Sequence, residues 1–289
     1  MSDDPPVLRV GCPMWAHRPW IGRYLPSDTP QGAELAAYAR LCTAVEGNTT
    51  FYALPSPDTA DRWAASMPDG FLLVPKLPKE LTHDRRLRSG EGLLRESLDR
   101  FTRLGDRLGP VTVQLPASFG PDDLRVLEDF LRAASGEVRW AVEVRHPAFH
   151  DGGDDQRRLD QLLHELGVER VLLDTRALFA GPCETRAEVE AFERKPRLQV
   201  RPVATGWQPI VRFIGQRDLG VNERFWAPWV DRVVDWLAAG LSPIVFLHTP
   251  DNDHAPALAR RFHAAVADRL PDLAPLPEPL PVERQTGLF

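Results

Sequence analysis

Cysteine is scarce in this chain of 289 residues. Three are present, Cys12, Cys42 and Cys183, widely spaced and odd in number. They form no C-x-x-C pair and no disulfide framework, which fits reduced thiols rather than a stapled secreted scaffold. Hydrophobic runs are short, and none approaches the roughly 18 apolar residues of a membrane-spanning helix. The opening Met1-Ser2-Asp3-Asp4-Pro5-Pro6 is acidic and polar, unlike a signal peptide. These absences predict a cytoplasmic protein with no membrane segment. Positive charge is also in deficit: Lys and Arg number 35 against 41 Asp and Glu, a net charge of -6. A protein held to nucleic acid by a global basic field would show the reverse. Nucleic acid is therefore disfavoured as a partner unless a local basic groove supplies the contact. No G-x-G-x-x-G or P-loop occurs, so no nucleotide cofactor is indicated. Nor is there a G-x-S-x-G nucleophile elbow. No cofactor is predicted.

What the chain does have is a rhythm. The hydrophobic fraction is 43%, enough for a sizeable core. Short apolar runs start near residues 7, 43, 71, 111, 138, 170, 210 and 243. They lie on average about 34 residues apart, and a helical pattern fits nearly every gap. One such helix, over 92–108, places Leu94, Leu98, Phe101, Leu104 and Leu108 on one face. Strands alternating with helices imply a parallel sheet, and eight units imply an α/β fold of the (β/α)8 TIM-barrel type. The expected layout is a single barrel domain over 7–270, after a disordered leader at 1–6. A Pro-rich tail at 271–289 follows. The interval 175–209 breaks the rhythm with 35 residues of irregular, basic-leaning sequence. Loops of that length are lids or binding loops, so this one is expected to cover the barrel mouth.

The strands end in polar residues. Glu46 and Asn48, Lys76, Gln114, Glu143 and Arg145, Asp174, Arg212 and His248 fall at or just beyond successive strand ends. In a TIM barrel the site lies at those C-terminal ends. Glu46, Asn48 and Thr50 share one parity in an extended chain, as do Glu143 and Arg145. Glu46 or Glu143 is the candidate general base, with His83 or His146 as acid. Lys76, Arg145 and Arg212 are suited to holding an anion. Asn48, Tyr52, Gln114, Asp174 and Trp15 complete the expected substrate contacts. Three readings compete. The three acids and three bases could satisfy one another as a structural ion network. Glu46, Glu143, Asp174 and His248 could converge on a divalent metal, but the cations among them would repel it, and no metal is predicted. Cys12 could be a nucleophile, although small buried cysteines are commoner.

Several motifs together resemble the YecE-like family, catalogued as domain-of-unknown-function family 72. Glu46-Gly47-Asn48-Thr49-Thr50-Phe51-Tyr52 is similar to its E-x-N-S-T-F-Y. Lys76-Leu77-Pro78 with Thr82-His83, Gln114-Leu115-Pro116, Val142-Glu143-Val144-Arg145-His146 and Arg212-Phe213 with Gly215 resemble its further elements, in order. The resemblance runs from Val10 to Gly287-Leu288-Phe289. It implies a TIM-barrel-like fold and no established reaction. Gly11-Cys12-Pro13-Met14-Trp15, Ile214 and His248-Thr249 depart from the residues common in that family.

The favoured expectation is an enzyme acting on a small anionic compound, carboxylated or phosphorylated, by acid/base chemistry. Glu143 and Arg145 are expected to face a solvent-filled pocket, so that Glu143→Gln would spare stability. One alternative is a nucleic-acid-binding or -processing barrel, with basic residues of the long loop following phosphates and Trp15, Trp20 or Tyr52 stacking bases. Another is a non-catalytic binding protein. Nothing in the sequence sets the oligomeric state. A salt series against single- and double-stranded oligonucleotides separates the first two readings. The acidic balance predicts no binding at low salt; an affinity that falls steeply with log salt would favour the nucleic-acid reading.

Overall fold

Strands that are apolar on both faces must be covered on both faces, and a parallel sheet curled into a ring achieves this. A computed structural model describes residues 5–134, 136 and 138–281. Its strands are β1 (Arg9–Cys12), β2 (Ala44–Gly47), β3 (Leu72–Pro75), β4 (Val111–Gln114), β5 (Trp140–Glu143), β6 (Glu169–Asp174), β7 (Ile210–Ile214) and β8 (Ile244–His248). Every strand residue except Arg9 is buried. All pairings are parallel, in the order β3-β2-β1-β8-β7-β6-β5-β4. Among the described residues, the seam between β3 and β4 is closed by the bridges Leu73–Leu108 and Lys76–Thr112. The result is a nearly closed eight-stranded barrel in one domain. β1 and β2 approach so closely that a Cβ on Gly11 would lie 2.0 Å from the carbonyl oxygen of Ala44, which accounts for a glycine there.

Nine helices surround the ring among the described residues: α1 (Glu34–Tyr38), α2 (Pro57–Ser66), α3 (Glu91–Thr102), α4 (Leu124–Ala133), α5 (Asp154–Glu165), α6 (Arg176–Phe179), α7 (Arg186–Arg194), α8 (Glu223–Ala238) and α9 (Ala255–Ala267). α8 illustrates their packing: Trp226, Trp229, Val230, Val233, Trp236 and Leu237 are its buried face, at the spacing an amphipathic helix requires. None of the described helices is long and apolar enough to cross a membrane.

Side-chain parity explains how the mouth becomes polar. The barrel interior holds an apolar layer that includes Ala44, Val74, Ala141, Ile210 and Phe246. Two residues further along each strand, the same inward parity yields Glu46, Lys76, Glu143, Arg212 and His248. A polar layer therefore sits directly on an apolar one.

Three expectations need correction. β2 ends at Gly47, and Asn48–Phe51 is a 3-10 turn. Thr50 consequently leaves the shared parity. Its hydroxyl accepts from the Lys76 amide at 2.9 Å and lies 2.7 Å from the Lys76 carbonyl, joining β2 to β3. The segment 175–209 is not one irregular run, because it contains α6 and α7. α7 starts with a capping box in which Thr185 accepts from the Glu188 amide and Glu188 accepts from the Thr185 amide at 2.8 Å. Its Ala191 packs with Leu173, Leu178 and Ile214, which sets α7 over the ends of β6 and β7. Lastly, Trp15 and Trp20, expected at a substrate or a stacked base, lie in the loop after β1 and cover the core. Trp20 is fully buried and donates to the Asn252 carbonyl at 2.8 Å. Trp15 packs edge-on against Trp63 at 5.0 Å. Neither presents a face on which a base could stack. Cys12 is buried in the same core beside Tyr38, whose hydroxyl accepts from the Cys12 amide at 2.7 Å.

At the ends of the chain, Pro5 and Pro6 are exposed. Leu273 and Leu276 pack on the main core, and Arg260 donates to the Pro277 carbonyl at 3.0 Å. The rest of the expected leader and tail, 1–4 and 282–289, lies outside the described residues, as does the terminal Gly287-Leu288-Phe289 motif.

Candidate functional site

Arg212 projects from the middle of β7 and is 2% exposed. It holds two carboxylates from other strands. Its Nη1 donates to Glu143 Oε2 at 2.6 Å, and its Nη2 donates to Glu46 Oε2 at 2.9 Å. Glu46 Oε1 also lies 2.5 Å from Arg212 Nε, out of hydrogen-bond alignment. The remaining oxygens are occupied as well. Glu143 Oε1 accepts from Arg145 Nε at 2.8 Å. Glu46 Oε2 accepts from Asn48 Nδ2 at 2.8 Å, and Glu46 Oε1 faces the Lys76 ammonium at 3.3 Å. Lys76 in turn donates to Gln114 Oε1 at 2.7 Å. Seven of the expected residues thus form one network, drawn from β2, β4, β5 and β7 and from the residues just beyond β2, β3 and β5.

Burial and charge oppose each other in this network. Burial alone would raise both acids, but Arg212 and Lys76 outweigh it at Glu46 and hold it below its ordinary value. At Glu143, Arg212, Arg145 and Lys76 outweigh burial further, and the carboxyl falls well below the usual range. Both are anions at neutral pH with their lone pairs committed, which makes them weak bases. Glu143 is also fully buried, so it does not face the solvent-filled pocket expected for it. Burial, followed by the charge of Arg212, lowers Lys76 to about 8.

Other expected residues lie elsewhere. Asp174 has the outward parity of Leu172. Its carboxylate accepts from Arg176 Nη2 at 2.8 Å and from Trp229 Nε1 at 2.7 Å, behind the barrel wall. His146 accepts from the Ala148 amide at 3.2 Å, with its ring against Gly120. Tyr52 is 81% exposed beside Phe51, away from the network, and Trp15 is in the core. His83 stands at the rim. Its Nδ1 is 3.0 Å from Thr82 Oγ1, and its ring meets Phe51 edge-on at 5.1 Å. Burial and then the charge of Arg145 lower it, so it is neutral at pH 7. With Asp174 turned away, the acids considered for a metal do not converge. Among the described residues no group of three or more His, Cys, Asp and Glu is arranged to hold one.

Two further residues belong to the mouth. Lys195 follows directly on α7 and is half-buried. With His248, Ile214, Thr249 and Asn252 it lines a cavity of about 210 Å³. No hydrogen bond or ion pair joins its ammonium to another described residue. Burial, and after it the charges of Arg212 and Arg145, bring it down to about 7. His248 is 4% exposed. Its Nε2 is 3.7 Å from Glu46 Oε2 and has no hydrogen-bond partner among the described residues. Burial, then Arg212 and Lys195, keep it well below its ordinary value and neutral. Lys195 had a signal in the sequence: only three lysines occur, Lys76, Lys79 and Lys195, among 35 basic residues.

The family model described as "Protein of unknown function DUF72" matches residues 9–282. The chain belongs to the DUF72 family. It is 36% identical over 283 residues to UPF0759 protein YecE of Escherichia coli strain K12, covering 98% of this chain and all of that protein. The corresponding protein of Escherichia coli O157:H7 is 35% identical over the same length. Among solved structures, a DUF72 family protein of Enterococcus faecalis V583 superposes with a TM-score of 0.65 at 16% identity, covering 92% of this chain and 98% of that one. One from Thermotoga maritima MSB8 gives 0.62 at 20% identity, covering 92% and 100%. At those identities the structures speak for the fold alone.

In this DUF72 barrel the Glu46–Arg212–Glu143 bridge is expected to contribute to stability. Removing one charge from a buried bridge costs about 3–5 kcal/mol. Glu143→Gln should lower the melting temperature on the order of 10 °C, and an unchanged melt would show that water screens the pair. The acids also predict a direction with pH. Their folded values lie below the unfolded value of about 4.3, so their contribution is complete above it and is lost as pH falls through the lower folded values.

Proposed function

We propose that the mouth of the barrel binds a small carboxylated or phosphorylated compound and acts on it by proton transfer. The observation that carries this reading is an excess of positive charge that the site does not use internally. Lys76, Arg145, Lys195 and Arg212 stand against two carboxylates, Glu46 and Glu143, whose oxygens are already occupied. Lys195 has no ion-pair partner among the described residues, and Arg145 keeps 17% of its side chain exposed. An anion between them would gain a guanidinium fork and an ammonium. The orphaned His248 Nε2 on the same cavity wall offers a further polar contact.

The geometry redistributes the chemical roles. Glu46 and Glu143 serve as the fixed anions that orient Arg212, Arg145 and Lys76. Proton transfer falls to Lys195, which loses its proton at about 7, and to the rim histidine His83, held neutral by burial and the charge of Arg145. The nucleic-acid alternative loses two supports. Trp15 and Trp20 are buried. Arg186 and Arg194 on α7 are both paired with Glu190, at 3.0 and 3.7 Å.

Calorimetric titration with sulfate tests this reading, because the charge of sulfate is constant across the range that matters. Lys195 is faced by Arg212, Arg145, Lys76, Glu143 and His248, with Glu190 and Arg194 in its cavity wall. Of these groups Lys195 loses its proton at about 7 and Lys76 at about 8. Both folded values are lowered, so the cationic form that holds an anion is present below them and lost as pH rises. Binding should therefore be tightest near pH 6.5 and weaken towards about pH 9, with a smaller change in Lys195→Gln. Absence of binding at the acid end, or an affinity indifferent to pH, would overturn the proposal.

A further inference from the structure

We propose that Lys195 is a nucleophilic lysine that forms an imine with a small anion bearing a carbonyl group, such as a 2-oxo acid or a phosphorylated ketone. The inference rests on the anion-binding reading above and names the substrate class of that same site.

The choice of residue is the first argument. This chain carries its positive charge almost wholly on arginine, with three lysines in 35 basic residues. Arginine holds carboxylate and phosphate at least as well as lysine does, but it cannot give up its proton within the accessible pH range. A lysine kept at an anion site in such a chain supplies what arginine lacks, an amine that can become a nucleophile. Each lysine has a distinct setting. Lys79 is exposed and lies 3.8 Å from Asp84. Lys76 is buried, donates to Gln114 and faces Glu46, so its ammonium is tied into the network. Lys195 alone among them has an ammonium with no hydrogen bond or ion pair to a described residue.

Position is the second argument. The capping box of α7 and the packing of Ala191 against Leu173 and Ile214 fix the helix end from which Lys195 extends. The cavity it lines, about 210 Å³, suits a compound of a few carbons. His248 shares that cavity, buried and with Nε2 unpartnered. Burial, and after it the neighbouring cations, favour the neutral amine, as in other lysines activated by desolvation or beside a second positive charge.

The chemistry balances without an oxidant or reductant. The lone pair of the neutral Lys195 Nζ forms a bond to the carbonyl carbon, and the carbonyl π pair moves onto oxygen. A proton passes from nitrogen to that oxygen, giving a carbinolamine. The hydroxyl then leaves as water, taking the second proton of the nitrogen, while the carbon–nitrogen double bond forms. His248, on the same cavity wall, would hydrogen-bond the departing hydroxyl, and Arg145, whose charge reaches Lys195, would hold the anionic end of the substrate.

Reductive trapping of the whole protein tests the proposal. Wild-type protein is treated with sodium cyanoborohydride and either pyruvate or dihydroxyacetone phosphate, and the modified residue is mapped by peptide mass spectrometry. L-Lactate and glycerol 3-phosphate, which lack the carbonyl, serve as blanks. The expected result is a reduced adduct on Lys195 at least about ten-fold above that on the exposed Lys79. The pyruvate and dihydroxyacetone phosphate arms decide between the carboxylated and phosphorylated forms. Saturating sulfate should suppress the label, Lys195→Arg should abolish it, and Lys79→Arg should leave it. Equal labelling of Lys79 and Lys195, or none at Lys195, overturns the imine. If sulfate still binds in that case, the anion site survives without it. If sulfate does not bind either, both readings fall together. Mapping on the wild-type chain decides the question even where Lys195→Arg does not fold.

Discussion

A guanidinium held between two carboxylates, all three withdrawn from water, is the interaction on which this barrel depends. Arg212, Glu46 and Glu143 come from β7, β2 and β5, separated in sequence by 166 and 69 residues. Burying such charges singly would be prohibitive, and as a group it is tolerated only because nearly every oxygen has a donor. The bridge has two consequences. It ties strands on different sides of the ring across the top of the apolar layer. It also fixes Arg145 through Glu143, and Lys76 through Glu46 and Gln114. What remains unfixed is the outer surface of the network, where the Lys195 ammonium and His248 Nε2 have no hydrogen-bond partner among the described residues.

That division between a saturated base and an unsaturated rim separates the structural reading of the polar strand ends from the functional one. A self-satisfied ion network accounts well for Glu46, Glu143 and Arg212. It does not account for a lysine brought over the mouth by a helix, nor for a buried imidazole nitrogen with no partner. Both features lie on one cavity, and the positive charge around it sets the chemical character of what would fill it.

The fold was legible because parallel strands buried on both faces read as uninterrupted apolar runs, and eight of them at even spacing admit few architectures. The polar network was legible through parity. Glu143 and Arg145, two apart, point the same way, and Arg212 is a single charge inside an apolar run. Asp174 defeats the same method. Val171, Leu172 and Leu173 before it are all apolar, so nothing in β6 distinguishes the inward face from the outward one, and the indole of Trp229 that takes up the carboxylate lies 55 residues away. Lys195 was hidden for a different reason. Its place depends on α7, a short helix inside a segment whose Pro, Gly and Arg content suggests loop. The Thr185–Glu188 capping box marks where that helix begins, and the scarcity of lysine marks the residue that ends it.

The central claim is that the rim of this network is an anion site, and a crystal soaked in selenate tests it most directly, because selenium locates the anion by anomalous scattering. The account predicts a peak at the barrel mouth, within hydrogen-bond reach of Lys195 Nζ and the Arg145 guanidinium. Selenate bound only at surface arginines, with the mouth left unlabelled, would contradict it.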